Sequence, residues 1–235
     1  MTAEDLFAYA YAVLSSRAYT ERFWNELETP GPRVPLTRDP RLFREAVKLG
    51  EKLINLHTFG ERLRQHGRGV NPGTARIVRA IGPGMPGSVE YVSDDRTLVV
   101  GAGRVAPVGP AVWQYEVSGL RVLRSWLRYR LRDPVGRAKT SESPLDRIRP
   151  EEWTRQLDDE LLELVWVLER TLALEPRQRE LLEAICAGAA VDADEPPAPT
   201  EHERQPARPG RSGVAASRIR RDRSGEPRSP SRVAS

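Results

Sequence analysis

Four arginines in the segment Leu120–Arg132 stand at a spacing that favours binding to phosphate. They are Arg121, Arg124, Arg128 and Arg132. At about 100° per residue they share one arc of a helix, whereas apolar side chains occupy the opposite side. Arginines with no acids between them repel one another, so an anion such as a phosphate backbone would stabilise the row. The alternative is a solvated surface whose partners are carboxylates of the predicted acidic helix Glu151–Glu169.

Arg130 lies in the same segment but projects from its apolar side. An unpaired charge among apolar side chains is costly, because it loses its hydration and gains nothing in return. We therefore expect Arg130 to pair with a carboxylate or to extend its charged end to solvent.

Six further candidate side chains precede this segment, in a region rich in glycine and proline. They are Arg76, Arg79, Arg96, Arg104, Trp113 and Gln114. Loops on a small sheet can enter the major groove of DNA, where arginine recognises guanine and glutamine recognises adenine through paired hydrogen bonds. Ordinary surface arginines have the same composition, so the residues alone leave both interpretations open. Together with the four arginines above, these six form the candidate DNA-binding set.

The sequence lacks the motifs of a nucleotide-hydrolysing or metal-dependent enzyme. Gly136–Thr140 has no glycine directly before its lysine, and Gly101–Gly103 is not followed by the third glycine of a dinucleotide-binding loop. The three histidines are widely spaced, and the single cysteine, Cys186, lies in an apolar helical pattern. We therefore predict that this chain has no catalytic centre, no metal site and no cofactor of its own.

Charge is unevenly distributed along the chain. The net charge is +4, but residues 61–150 hold sixteen basic and eight acidic side chains, whereas residues 151–190 hold four basic and ten acidic ones. A basic block beside an acidic one is typical of a polyanion-binding face on a larger scaffold. The lone cysteine, with neither a secretory leader nor an apolar run of membrane length, predicts a cytoplasmic protein that does not enter a membrane.

The elements that must position these side chains are of two kinds. Apolar periodicity predicts two helical segments joined near Ser15–Ser16, and a third helix that has Asp39 as its cap, Pro40 at its first position and an end near His57. Short β-prone runs follow between glycines and prolines. They are Ala75–Ile81, Val89–Val92, Thr97–Val100 and Val112–Val117.

Helical periodicity returns over Leu120–Arg132 and again after Glu151, and Pro176 is predicted to open a separate last helix that Gly188 ends. The predicted fold class is α+β, in four parts. An N-terminal helical spacer covers 1–66, and a small, mostly antiparallel, glycine-rich β region with the basic helix covers 67–149. A C-terminal helical hairpin covers 150–190, and a disordered tail covers 191–235, where few apolar side chains are available to offset the entropy of ordering.

Several of these segments resemble parts of one enzyme family. Asp5–Leu14, then Tyr19 with Phe23, then Pro32–Pro35 are similar to the Tyr-x-Tyr-x-x-Leu…Pro-Arg-x-Pro passage that follows the methyltransferase domain in single-chain restriction-modification enzymes. Later segments resemble the C-terminal target-recognition region of the type ISP restriction-modification enzymes. They are Val99–Gly103, Pro107–Val108, Tyr115–Gly119 and Trp126–Arg130. The similarity spans about residues 4–188.

The resemblance implies specific binding to double-stranded DNA. Members of the family are adenine-N6 DNA methyltransferases fused to a nuclease and a helicase-like motor, they use S-adenosylmethionine and ATP with Mg²⁺, and this terminal region recognises the target sequence. The present chain has no Asn-Pro-Pro-Tyr motif, because Asn71–Gly73 lacks the second proline and the aromatic residue that grip a flipped adenine. It also lacks the glycine-rich methionine-cofactor loop. Neither cofactor is therefore expected in this chain.

Three hypotheses follow from the sequence. The first is a sequence-specific DNA recognition module without catalytic domains, present as a split subunit, a truncated gene product or a fragment. The second is a protein-interaction module, in which the acidic hairpin and the N-terminal helices dock a separately encoded methyltransferase or helicase subunit. The third, an independent hydrolase or transferase, finds no nucleophile, base or metal set among the residues.

Overall fold

The computed structural model describes residues 1–29, 31, 33–62, 72–132 and 150–192, together with positions 194, 195, 198, 200, 201 and 204. The chain forms one compact unit over Met1–Asp192 and a second over Ala193–Ser235, whose described residues contain no helix or strand. The tail predicted at 191–235, and the boundaries predicted at 66 and 149, lie largely outside the described residues. No helix within the described ranges is long and apolar enough to cross a membrane.

The architecture is α+β, as the sequence predicts. The helices are α1 (Ala3–Leu14), α2 (Arg17–Arg22), α3 (Pro40–His57), α4 (Pro110–Gln114), α5 (Val122–Arg128) and α6 (Arg155–Ala187), with a short 3-10 turn at Glu26–Glu28. The strands are β1 (Arg76–Arg79), β2 (Val89–Val92), β3 (Thr97–Val100), β4 (Gly103–Ala106), β5 (Glu116–Val117) and β6 (Leu120–Arg121). The first four form an antiparallel sheet in the order β1-β4-β3-β2, and the last two form a separate hairpin.

Capping residues stabilise the starts of α1 and α3. Thr2 and Asp5 form a capping box at the start of α1, since each side chain bonds the backbone N–H of the other. The carboxylate of Asp39 accepts a hydrogen bond of 2.7 Å from the backbone N–H of Arg41, and Pro40 occupies the first position of α3. The predicted bounds of the third helix are thereby confirmed, as is the break between the first two.

Helices α1 and α3 pack with very close backbones at Gly50. A Cβ atom at this position would lie 2.5 Å from the carbonyl carbon of Ala8 and 3.1 Å from its Cα, so only glycine fits against α1 there. Tyr9 is fully buried beside this contact, and its hydroxyl donates to the carbonyl of Pro35 at 2.6 Å and accepts from the N–H of Thr37 at 3.1 Å. One buried phenol thus holds the connector that leads into α3.

The four-stranded sheet buries one face and exposes the other. Leu98, Val100 and Val105 are fully buried on the inner face, where α4, α5 and the first half of α6 complete a core. A turn joins β2 to β3, and Arg96 within it adopts φ 49°. Alternation of buried and exposed positions along β4 places Arg104 on the outer face.

The strand predicted at Val112–Val117 is wrong. Its first part belongs to α4, because Pro110 is pre-set for the first turn of a helix and Val112 and Trp113 bury their side chains in the core. Its last two residues do form a strand, β5, which turns through Ser118 and Gly119, both at positive φ, into β6.

The predicted C-terminal hairpin is also wrong, because α6 is one helix of 33 residues with Pro176 inside it. A proline within a helix removes a hydrogen bond and costs about 3 kcal/mol. The first half of α6 packs in the core of the sheet, whereas Leu181, Leu182 and Ile185 of the second half pack in the core of α1, α2 and α3. Burying three large apolar side chains contributes about 1.5–3 kcal/mol each, which outweighs the proline. The predicted end at Gly188 is confirmed.

A hydrogen-bonded chain through His57 joins α1, α3 and α6. The hydroxyl of Tyr11 lies 2.8 Å from His57 Nδ1, and His57 Nε2 lies 3.0 Å from Thr171 Oγ1. Thr171 donates its only hydroxyl proton to the carbonyl of Val167, so its oxygen must accept from Nε2–H. Nδ1 is then left to accept from Tyr11. The arrangement requires a neutral imidazole, and burial lowers the pKa of His57.

Acid is expected to destabilise the fold through this histidine. In the unfolded chain the imidazole has its ordinary pKa of about 6.5. The unfolded state therefore takes up a proton first as the pH falls, and the free energy of unfolding decreases from that pH down to the lower pKa of the folded state. Urea titrations at pH 7.5 and pH 5.5 measure the loss. In His57→Phe, which carries no titrating ring, the loss between these pH values should be smaller; an equal loss in both proteins would contradict the assignment.

Candidate nucleic-acid interface

Eight of the ten candidate DNA-binding side chains lie at the surface. Arg76, Arg79, Arg96, Arg104, Gln114, Arg121, Arg128 and Arg132 are exposed. Arg124 is half-buried, and Trp113 is only 9 % exposed and belongs to the core. The ring of Trp113 is therefore a support for other side chains rather than a surface group.

The basic helix is shorter than the sequence predicts. Helix α5 covers Val122–Arg128, because Leu120 and Arg121 pair with β5 and the chain leaves the helix after Arg128. Arg121 is thus the cap residue of α5, Arg124 and Arg128 lie within it, and Arg132 lies four residues beyond its end. The predicted row survives only for the first three arginines.

The acidic helix does not neutralise this row. Among the described residues, the only carboxylate that pairs with any of the four arginines is Glu116, which lies 3.8 Å from Arg121. The two side chains are 48 % and 40 % exposed, so this pair contributes little. Arg128 stacks over Tyr129 at 5.7 Å and has no carboxylate partner in the described ranges. The described part of the structure therefore does not have the alternative arrangement, in which these arginines form a solvated surface paired with carboxylates of α6.

Arg130 behaves as predicted for a charge on the apolar side. Its guanidinium lies 3.6 Å from the carboxylate of Glu160 on α6 and 3.7 Å from the ring centroid of Trp126. It also donates to the backbone carbonyl of Trp126 at 3.1 Å. Burial lowers the pKa of Arg130, and the negative charge of Glu160 counteracts this effect. Arg130 is a structural arginine that ties α5 to α6.

Arg124 rests on a pair of stacked aromatic rings. Its guanidinium carbon lies 4.4 Å from the centroid of Trp113, and Trp113 in turn stacks on Tyr91 at 5.4 Å with 22° between the ring planes. The hydroxyl of Tyr91 donates to the carbonyl of Val108 at 2.8 Å, which fixes the ring. We name Tyr91, Trp113 and Arg124 the aromatic platform. It joins one residue from each of β2, α4 and α5.

Two more candidates lie beside the aromatic platform. Gln114 follows Trp113 in α4 and is exposed. Arg96 is exposed in the turn between β2 and β3, and its carbonyl accepts from the N–H of Val108 at 2.7 Å. Burial raises the pKa of Tyr91, and the positive charge of Arg96 opposes that effect, as expected for a neighbour. The fold thereby brings Arg96 and Arg124 to one region, and Gln114 adjoins it as the neighbour of Trp113 in the chain.

A second cationic group lies on the outer face of the sheet. Arg79 of β1 stands directly opposite Arg104 of β4. Like charges in opposite positions on neighbouring strands repel each other and destabilise the sheet. Neither guanidinium has a carboxylate partner among the described residues, and the position next to Arg104 on β3 is the uncharged Val99. A bound anion would relieve this repulsion.

The remaining two candidates are held by backbone carbonyls. Arg76 Nη1 donates to the carbonyls of Gly73 and Ala75 at 2.6 and 2.7 Å, and the guanidinium lies over Trp166 of α6 at 5.7 Å. Arg132 bonds the loop before β2, through its backbone N–H to Pro86 and through Nη2 to Met85 at 3.4 Å. Both are exposed, and both also stabilise the fold.

Metal ligands and the single cysteine are the other groups of chemical interest in the described part of the chain. It contains no group of three or more histidine, cysteine or acidic side chains able to hold a metal ion. Burial raises the pKa of the Cys186 thiol, which makes the thiolate less available at neutral pH. Tyr91 is not predicted from the sequence, since an aromatic residue in a short strand gives no sign that it will stack on a tryptophan three elements later in the chain.

Comparison with known proteins points to one family. The family described as "Type ISP C-terminal specificity domain" matches residues 1–164. No curated protein matches the chain.

Three solved structures match the chain at low sequence identity. A nuclease-deletion mutant of the type ISP restriction-modification enzyme LlaGI in complex with a DNA substrate mimic is 21 % identical, with a TM-score of 0.47 over 79 % of this chain and 16 % of its own. The DrdV–DNA complex is 18 % identical, with a TM-score of 0.48 over 80 % and 18 %. The ATP-dependent type ISP enzyme LlaBIII bound to DNA is 14 % identical, with a TM-score of 0.45 over 79 % and 11 %. The chain therefore spans less than a fifth of the length of each of them.

Proposed function

This chain belongs to the type ISP C-terminal specificity domain family, and for that reason we propose that it recognises a base sequence in double-stranded DNA. The observation that carries the proposal is the unpaired cationic surface around the aromatic platform and on the outer face of the sheet. Arg79, Arg96, Arg104, Arg124 and Arg128 have no carboxylate partner among the described residues, although α6 offers many acids. A polyanion supplies the missing negative charge.

The candidate side chains are suited to two parts of DNA, the phosphate backbone and the base edges. Arg121 and Arg128 flank Arg124 on α5 and have long, exposed side chains, as phosphate contacts require. Arg96 and Gln114 are exposed and adjoin residues of the aromatic platform, and arginine and glutamine are side chains that hydrogen-bond base edges. The pair Arg79 and Arg104 holds two like charges together, which a phosphate between them would stabilise.

The chemistry of the wider family lies outside this chain in the proposed function. S-adenosylmethionine and ATP with Mg²⁺ belong to methyltransferase and motor domains, and the prediction that this chain carries neither rests on the missing loops noted above. Methyl transfer would be supplied by polypeptide beyond these residues, whether continuous with them or separately encoded. No contact within the described ranges favours the hypothesis of a docking module over that of a DNA-recognition module.

Steep salt dependence is the expected signature of this surface. With about three phosphate contacts, the affinity of the full chain for a 30-base-pair duplex of random sequence should fall about 40-fold between 50 and 200 mM NaCl, because each contact releases bound counterions. Fluorescence anisotropy of labelled duplex measures it, with unlabelled duplex as competitor to establish reversible binding. An affinity that changes less than threefold over this range would refute the proposed function.

A further inference from the structure

Two arginines near the basic helix stack on tryptophan, and they differ in one respect. Arg130 over Trp126 carries its counter-ion, Glu160, and so completes a structural contact. Arg124 over Trp113 has no carboxylate among the described residues and makes no hydrogen bond there. Arg124 is thus held in place by an aromatic ring but lacks the counter-ion that Arg130 has, and hydrogen-bond acceptors of a ligand would fill that place.

The Arg124 guanidinium is supported on one side by a chain of contacts. The carbonyl of Val108 accepts a hydrogen bond of 2.8 Å from the hydroxyl of Tyr91, and the ring of Tyr91 stacks on Trp113. The guanidinium carbon of Arg124 lies 4.4 Å from the centroid of the Trp113 ring. A flexible arginine loses side-chain entropy when it binds, and stacking removes part of that loss beforehand. A flexible, exposed arginine suffices for a phosphate, whereas a base edge requires a donor pair held in one plane.

The part of the Arg124 guanidinium that a ligand can reach is the end with the two Nη nitrogens. Arg124 Nε is buried and has no hydrogen-bond partner in the described ranges. Its two Nη nitrogens are also without partners there and are not fully buried, and the planar guanidinium holds them side by side as two donors. Guanine presents two acceptors, O6 and N7, at the matching separation in the major groove, whereas no other base presents two acceptors side by side on that edge.

We infer that Arg124 is a specificity-determining residue that recognises one guanine of the target through its two Nη nitrogens, and that Trp113 and Tyr91 are the residues that position it. This inference rests on the proposed function and deepens it, because it assigns base recognition to Arg124 and leaves phosphate binding to Arg121 and Arg128. Loss of Arg124 then changes which sequence is bound, and loss of Arg128 changes only how tightly.

Selection from a randomised duplex tests the inference. The full chain is incubated with a duplex of 14 randomised base pairs, and the bound fraction is sequenced. The wild-type protein should enrich a motif that contains a guanine favoured about tenfold at one position. Arg124→Lys keeps the charge but has no two-pronged donor, so it should lose the preference at that position and retain the rest of the motif. Arg128→Ala, the comparison variant, should retain the whole motif with weaker binding.

The outcomes separate the inference from the proposed function. If the wild-type protein enriches no motif, sequence recognition itself fails. A second result is that the wild-type protein enriches a motif that the Arg124→Lys variant enriches equally, and a third is that the variant binds every sequence less tightly by the same factor. Either of these two results shows that Arg124 does not recognise a base, and it overturns the inference while the proposed function stands. Thermal melting confirms that each variant is folded.

A second variant tests the positioning role. Tyr91→Phe keeps the aromatic ring and every charge but loses the hydrogen bond to Val108. It should weaken the preference for that guanine without altering the salt dependence of binding to random duplex. A preference as strong as in the wild-type protein would show that Tyr91 does not position Arg124.

Discussion

Replacing Gly50 with alanine is expected to lower the free energy of unfolding by about 2 kcal/mol or more. Alanine gains about 1 kcal/mol of helix propensity over glycine in α3. Its methyl group, however, would overlap the backbone of Ala8 in α1, which cannot rotate away as a side chain can. Overpacking a core costs about 1–3 kcal/mol even where side chains adjust, so the steric cost here exceeds that range and decides the sign. Differential scanning calorimetry should show a melting temperature lower by about 4–8 °C.

Gly87→Ala is the matched control for this substitution. A Cβ at Gly87 meets nothing within 4 Å, and the backbone there is not in the left-handed region. The change should be neutral or stabilise the protein by about 0.4–1 kcal/mol, because it restricts the unfolded chain. If Gly50→Ala were as stable as the wild-type protein, the close approach of α1 and α3 would be wrong.

The double variant Arg121→Ala/Arg128→Ala is expected to bind random duplex about 100-fold more weakly at 100 mM NaCl. Each charge-assisted bond to phosphate contributes about 1.5 kcal/mol, at the lower end of the usual range, since both side chains lie at the surface. Arg121 must also give up its pair with Glu116 at 3.8 Å, a small loss. The slope of log affinity against log salt should become shallower by about 1.8, the contribution of two phosphates. Anisotropy titrations at several salt concentrations measure both quantities.

The control for this loss is Arg44→Ala/Lys48→Ala. These two side chains are exposed on α3, outside the candidate surface, and their removal changes the net charge by the same amount. If binding depends on position rather than on total charge, the control should keep its affinity within about threefold and its salt slope. Equal losses of affinity in both double variants would mean that DNA binding depends only on the overall charge of the protein. The assignment of phosphate contacts to Arg121 and Arg128 would then be wrong.

Local signals in the sequence predict the bounds of a helix when the residues that determine those bounds lie within the helix itself. The bounds of α3 follow from Asp39, Pro40 and an apolar stripe, all within a single element. The same kind of signal failed at Pro176, because the reason that α6 continues is the burial of Leu181 and Ile185 against helices more than a hundred residues earlier. A proline predicts the end of a helix only when no burial against distant parts of the chain offsets the free energy that the proline costs.

The candidate site shows the same division. Helical periodicity predicts the arginine row of α5. The cost of an unpaired charge on an apolar side predicts a carboxylate partner for Arg130, and that partner is Glu160. The aromatic platform escaped prediction, because Tyr91, Trp113 and Arg124 come from three elements and meet only in the folded chain. The sequence even suggested a strand for the segment that holds Trp113, since alternating apolar residues fit both a strand and a short buried helix.

The continuity of α6 has a mechanical consequence. A helix of 33 residues is about 50 Å long, and its two ends are embedded in separate cores with no loop between them. Such an element acts as a lever arm. A displacement of the sheet therefore reaches the first three helices through one continuous helix and not through a loop.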